Sequence, residues 1–151
     1  MGKKVLVLGT GAQGTTVAKR LQLEPKVDKI ILADYDEAAV KELAAELDKA
    51  EAFFCDASKK ENIMPLIEGC FMVVNALPLA FGKNVIDAAL EAKCNYQDFA
   101  APEGFEDTWE KCMYRLLGDY NKKFKEAGIL GIMGTGSAPG TMCVVARDTM
   151  K

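Results

Sequence analysis

Apolar and polar positions alternate along the chain with two different periods, and that alternation predicts the elements. Residues 5–8 form an unbroken apolar run, the pattern of a strand covered on both faces of a parallel sheet. A helical spacing follows, with Val17, Ala18 and Leu21 on one face. Residues 29–34 read as a second strand ending in a carboxylate. Residues 36–49 place Val40, Leu43, Ala44 and Leu47 on one helical stripe. A short third strand is expected at 52–55, and Ser58 with Glu61 spells a capping box for a helix ending near Gly69. Residues 71–75 are continuously apolar up to Asn75 and read as a central strand. A helix over 81–92 and a fifth strand over 94–98 come next. After a loop at 100–106, Asp107 with Glu110 spells a second capping box. It opens a long helix through Trp109, Met113, Leu116, Tyr120 and Phe124 to Gly128, with Gly118 as a candidate interruption. A sixth strand at 129–133 and a glycine-rich loop at 134–140 precede a last helical start.

Six strands alternating with helices predict an α/β architecture, a parallel sheet with right-handed crossovers. Its first turn, between strand and helix, reads Gly9-Thr10-Gly11-Ala12-Gln13-Gly14. Gly9 permits a sharp exit from the strand, Gly11 lets the backbone approach a pyrophosphate, and Gly14 lets the helix pack closely. The helix end then presents free N–H groups to phosphate. The fingerprint makes the expected fold a Rossmann fold: a six-stranded, doubly wound sheet in the order 3-2-1-4-5-6, with helices on both faces.

Asp34 ends the second strand, twenty residues beyond Gly14. A carboxylate there accepts hydrogen bonds from the adenosine ribose and repels the extra phosphate of NADP. Tyr35 follows it in place of a cation, so NAD is expected in preference to NADP. The competing reading makes Asp34 a helix cap only. Asp56 and Ala57, after the third strand, are candidates to meet the adenine, with a plain capping turn as the alternative. Asn75, Ala76, Leu77 and Pro78 would border the nicotinamide half: Ala76 is small enough for close approach and Pro78 fixes the backbone. Asp98 is a weak catalytic candidate, for proton transfer or for binding a substrate ammonium. The loop at 134–140 is read as a glycine-rich turn.

Composition narrows the function classes. The 151 residues suit one domain, and a net charge of −3 with no Lys/Arg cluster argues against nucleic acid or an anionic membrane as partner. Five scattered cysteines and no histidine give no metal-ligand spacing, so buried, reduced thiols are expected. No signal peptide and no apolar stretch of about 20 residues is present, so a cytoplasmic location is expected. A short-chain-type enzyme would need Tyr-x-x-x-Lys, but Tyr114 is followed by Gly118 and Tyr120 by Phe124.

The ordered motifs resemble the saccharopine dehydrogenase family, which includes lysine 6-dehydrogenases. They are the glycine turn, Leu32-Ala33-Asp34, Asn75-Ala76-Leu77-Pro78, Asn95-Tyr96-Gln97-Asp98 and Gly136-Ser137-Ala138-Pro139-Gly140. The resemblance implies that Gly9, Gly11, Ala12, Gln13, Gly14, Asp34, Asp56, Asn75, Ala76 and Leu77 line the cofactor. It also implies reversible hydride transfer at a carbon–nitrogen bond of an amino acid or its conjugate. Such enzymes continue past the Ala-Pro-Gly loop into a substrate domain, so residues 1–151 are expected to be the N-terminal, dinucleotide-binding part of a longer enzyme, inactive alone. The amino-acid-like substrate would then reach the site through that further domain, and a homo-oligomer is compatible with the sequence. The competing function is a stand-alone module that senses NAD(H) without catalysis. The stretch 103–117 is longer than expected before its helix.

Overall fold

The computed structural model describes residues 2–100 and 105–150. Its strands are β1 (Lys3–Leu8), β2 (Val27–Asp34), β3 (Ala50–Phe54), β4 (Met72–Asn75), β5 (Asn95–Asp98) and β6 (Gly131–Ile132). Its helices are α1 (Ala12–Leu21), α2 (Glu37–Ala45), α3 (Lys60–Ile67), α4 (Gly82–Glu91), α5 (Trp109–Arg115), α6 (Asn121–Ala127) and α7 (Met142–Thr149). All strand pairings are parallel, and the sheet order is β3-β2-β1-β4-β5-β6, the order expected from the fingerprint.

The two-residue period of the strands divides the core. Val5, Val7, Ile30, Leu32 and Val74 face one side, where Ala18 of α1 and Val40 and Leu43 of α2 cover them. Leu6, Leu8, Ile31, Ala33 and Val73 face the other, beneath α3, α4 and the α5–α6 segment. Four consecutive residues of β1, Val5 to Leu8, are therefore all buried. Burying a side chain of this kind stabilises by about 1.5–3 kcal/mol, which places β1 at the energetic centre of the sheet.

Several element ends differ from expectation, each for a local reason. The helix expected to reach Lys49 ends at Ala45, and buried Leu47 enters the core from the turn that leads into β3. The Ser58–Glu61 capping box does not form: the Ser58 amide donates to Asp56 Oδ1 at 3.0 Å, and Lys59 occupies the cap position. Nor does the Asp107–Glu110 box form. The Thr108 hydroxyl accepts the Lys111 amide instead, while Asp107 pairs with the Lys111 ammonium at 2.8 Å. The long helix divides into α5, a π-helical turn at Leu116–Tyr120 that contains Gly118, and α6. The wider turn keeps Leu116, Tyr120 and Phe124 all buried. The sixth strand contracts to Gly131 and Ile132, where a side chain at 131 would meet the Phe124 ring at 3.0 Å. The loop expected over 100–106, and the start of the 103–117 stretch, lie partly outside the described residues. Four cysteines are buried as expected, whereas Cys143 on α7 is exposed. Among the described residues no helix is long and apolar enough to cross a membrane, and no cluster of ligating side chains could hold a metal ion.

Candidate functional site

Every candidate residue lies at or just beyond the carboxyl end of a strand, the edge at which open α/β sheets bind ligands. At the centre, β1 ends in Gly9 with φ +91°, a left-handed conformation in which a side chain would also sit 2.9 Å from the Ala76 carbonyl oxygen. A Cβ on Gly14 would lie 1.8 Å from the Gly9 carbonyl oxygen. These two glycines are demanded by the packing of α1 against β1 and the end of β4. Gly11 is different. Its backbone is extended (φ −64°, ψ −170°), and a Cβ there would meet nothing within 4 Å. No side chain caps α1, so no side-chain acceptor satisfies its first amides. A cradle of this shape fits a pyrophosphate, whose approach a Cβ on Gly11 would hinder.

Asp34, at the end of β2, is wired into the same turn. Its Oδ2 accepts the Thr10 amide at 2.5 Å and the Thr10 hydroxyl at 2.9 Å, and its Oδ1 accepts the Asp36 amide at 3.0 Å. Burial pushes this carboxyl up, but the Asp36 and Thr10 donors outweigh it and hold the group below the usual carboxylate range. Asp34 is therefore held as an anion by the Asp36 amide and the Thr10 amide and hydroxyl, with the Tyr35 amide adding to them, and it is only partly buried. The cap of α2 is Asp36, which accepts the amides of Ala38 and Ala39 at 3.0 Å. The reading of Asp34 as that cap is thus unnecessary.

Tyr35 is 71% exposed and lies against Phe54 of β3, with ring centroids 5.4 Å apart. Asp56 closes its own turn through the Ser58 amide, and Asn84 of α4 donates to the carbonyls of Ala57 and Ser58 at 3.1 and 2.8 Å. This second group sits toward the β3 edge of the site. On the other side of β1, Gln13, Asn75, Ala76, Leu77 and Asp98 are brought together around a cavity of about 140 Å³, which Leu79, Gly82, Phe99 and Ala100 complete. Pro78 leads into a single 3₁₀ turn, Leu79–Phe81, before α4.

Asp98 is 2% exposed, and neither of its oxygens is free: Oδ2 accepts the Tyr96 hydroxyl at 2.8 Å and Oδ1 the Gly134 amide at 2.7 Å. Burial raises its pKa against the opposing pull of those two donors. The loop at 134–140 is likewise more than a plain turn. The Thr135 amide and hydroxyl both donate to the Asp98 carbonyl, and side chains on Gly136 or Gly140 would strike backbone atoms at 2.5 and 2.7 Å. The sequence reading missed Leu79, Gly82, Phe99 and Ala100 in the cavity wall, and two residues that bond to the candidates, Thr10 and Tyr96. Thr10 carries no signal in a pattern that leaves its position open. Tyr96 was detectable, because it shares a strand face with Asp98 two residues on.

The family model described as the saccharopine dehydrogenase NADP binding domain matches residues 5–132. The chain belongs to that family. Among curated proteins, carboxyaminopropylagmatine dehydrogenase of Synechocystis is 29% identical over 98% of the chain, and carboxynorspermidine synthase of Vibrio alginolyticus is 28% identical over 68% of it. The chain spans 38% and 26% of their respective lengths. Apo saccharopine dehydrogenase (L-Glu forming) from Saccharomyces cerevisiae superposes with a TM-score of 0.80 at 21% identity, over 99% of this chain and 31% of that one. The GenD2 protein of gentamicin A biosynthesis, solved in complex with NAD, superposes with a TM-score of 0.63 at 20% identity, over 88% and 34%. These likenesses agree with the Rossmann architecture, and the family assignment makes the chain an NAD(P)-binding domain.

Proposed function

We propose that this domain holds NAD(H), in preference to NADP(H), for an oxidoreductase that moves a hydride at a carbon–nitrogen bond of an amino acid or amino-acid conjugate. The observation that carries the cofactor choice is the Asp34 carboxylate. It is anionic, anchored by Thr10 and Asp36, only partly buried, and is followed by Tyr35 where a cation would be needed to neutralise a 2′-phosphate. When bound, the nicotinamide supplies the hydride chemistry. The chain's own residues do the holding. The first amides of α1 receive the pyrophosphate, Asp34 the adenosine ribose, and Tyr35, Asp56 and Ala57 lie toward the adenine. Asn75, Ala76, Leu77 and Pro78 border the other half, and packing at Gly9 and Gly14 keeps Ala12 and Gln13 in register with it. Asp98, at 2% exposure, acts on the shape of the site more readily than on a substrate proton.

The reading of the chain as one part of a longer enzyme is supported by the lengths of its relatives and by an exposed apolar surface. A groove of about 820 Å³, lined by Leu79, Trp109, Met113, Leu117, Met133 and Pro139 among others, adjoins the cavity through Leu79 and Ala100. Trp109 and Leu117 are 65% and 73% exposed there, and Met142, Val144 and Val145 of α7 are exposed as well. Fluorescence titration of the domain with NADH and NADPH tests the cofactor reading, which fails if NADPH binds as tightly as NADH. Turnover assays with saccharopine or lysine test the second part. Negligible turnover is expected, and robust turnover by residues 1–151 alone would overturn it.

A further inference from the structure

We infer that Tyr96 is a positioning residue for the nicotinamide half of the dinucleotide, acting through a buried chain of hydrogen bonds that ties Asn75 to Asp98 and the loop at 134–140. The inference rests on the dinucleotide reading above. The bonds converge on Asp98 from both sides. The Leu77 amide donates to Asn75 Oδ1 at 3.2 Å, and Asn75 Nδ2 donates to the Tyr96 hydroxyl at 3.1 Å. That hydroxyl donates to Asp98 Oδ2 at 2.8 Å, and the Gly134 amide closes the series on Oδ1 at 2.7 Å. Asn75, Tyr96 and Asp98 are 5%, 1% and 2% exposed.

Three features assign this chain to ligand positioning rather than to folding alone. First, it is a costly way to hold β4 against β5. Burying a carboxylate and its partners carries a desolvation penalty, and an apolar trio of similar volume would avoid it. Second, Asn75, Leu77 and Asp98 also line the 140 Å³ cavity, so the bonds that orient them fix the cavity's inner surface. Third, this cavity lies across β1 from the Asp34 group, on the β4–β5 side of the point where the strand order reverses. A dinucleotide lying across the end of α1, with its adenosine at Asp34, must send its other half to this side. Tyr96 stands behind that surface and does not line it. Its effect reaches the ring through Asn75, whose amide it orients, and through Asp98, whose carboxylate it shares with Gly134.

The test separates the two halves of the ligand. ADP-ribose carries the adenosine, both phosphates and a ribose but no nicotinamide. Its affinity and that of NADH are measured by calorimetric titration for the unmodified domain and for Tyr96→Phe. The substitution removes one hydroxyl and is expected to weaken NADH by roughly two- to tenfold, the size of one net hydrogen bond, and to leave ADP-ribose unchanged. Equal losses for both ligands, or none for either, overturn the inference. Failure of the unmodified domain to bind ADP-ribose instead overturns the dinucleotide reading, and this inference with it. Should Tyr96→Phe fail to fold, amide hydrogen exchange of the unmodified domain decides the matter. Leu77, Gly134 and Thr135 are expected to gain protection with NADH and not with ADP-ribose, and identical protection by the two ligands overturns the inference.

Discussion

Replacing Asp34 with alanine puts the cofactor reading at greatest risk, because two roles of that carboxylate predict different results. If a ribose hydroxyl donates to this carboxylate, its bond to an ionised group is worth about 1.5–3 kcal/mol, so NADH affinity should fall by about 10- to 150-fold. The 2′-phosphate of NADPH carries about −1.5 to −2 charges, and its repulsion by the carboxylate disappears in the variant. At a separation of about 5 Å and an effective dielectric constant of about 40, each unit of charge is worth roughly 1.7 kcal/mol, or about 3 kcal/mol in total. NADPH should therefore gain while NADH loses, and the two effects together, at least about 4.5 kcal/mol, should lower the preference by about 1000-fold or more. Salt provides an internal check, since raising it from about 0.05 to 0.5 M screens the repulsive term and should narrow the preference of the unmodified domain. Asp34 also anchors Thr10 through the amide and the hydroxyl. Were that anchoring its whole contribution, the loosened turn would weaken NADH and NADPH by the same factor. Equal losses in the two titrations would refute the ribose argument and leave Asp34 a structural clamp.

The glycines offer a contrast between folding and binding. Gly14→Ala places a Cβ 1.8 Å from a backbone oxygen and should cost about 1–3 kcal/mol or more, seen as a lowered Tm. Gly11→Ala, which meets nothing within 4 Å, should change stability by less than about 1 kcal/mol yet weaken dinucleotide binding by roughly tenfold or more in calorimetric titration. Among the five thiols, burial pushes Cys55 up to about 11 and Cys94 up to about 12, while Cys143 is exposed. A chromogenic disulfide reagent at mildly alkaline pH should therefore titrate Cys143 rapidly and the four buried thiols only after unfolding. The folded pKa of Asp34 is depressed, so its stabilisation is present above the ordinary carboxylate value near 4 and is lost as pH falls through the folded value. Urea midpoints should show a stability difference between the unmodified domain and Asp34→Asn that is full at neutral pH and shrinks toward acid.

What the sequence made legible was whatever depends on burial along a whole element. The run Val5 to Leu8 has apolar side chains on both faces of its strand, which only a doubly covered central strand can accommodate, and the glycine turn then sets the sheet order. What it hid depends on competition between near-equal local bonds. Ser58-x-x-Glu61 is a proper capping box on paper, yet Asp56 lies two residues upstream and takes the Ser58 amide first. Asp107-x-x-Glu110 loses in the same way to Thr108, one position along. The interruption at Gly118 was legible, but its form, a π-helical turn over Leu116–Tyr120, was not. Tyr96 was hidden for a different reason. A tyrosine in a strand is ordinary core, and only a count of which residues share its face leads from Asp98 back to its hydroxyl.

Asp34 and Asp98 occupy equivalent places, each the last residue of a parallel strand at the ligand-binding edge, yet they have become opposite kinds of group. Nothing in their own positions distinguishes them; their neighbours do. Among the described residues no loop lies over the end of β2 as one does over β5, so Asp34 stays only partly buried while it collects donors from Thr10 and Asp36. The donors win, and the group is held as an anion. β5 runs instead beneath the loop at 134–140, which lays the Gly134 amide over the carboxylate and seals it at 2% exposure. There burial wins, and the charge becomes an expense that the Tyr96 hydroxyl and the Gly134 amide only partly offset. A group poised to meet an incoming hydroxyl must be ionised and reachable, as Asp34 is. A group that holds a loop in register must be enclosed and bonded on both oxygens, as Asp98 is. On the proposed function one strand end recognises the cofactor and the other shapes its cavity, a division that follows from which loops cover the carboxyl edge of the sheet.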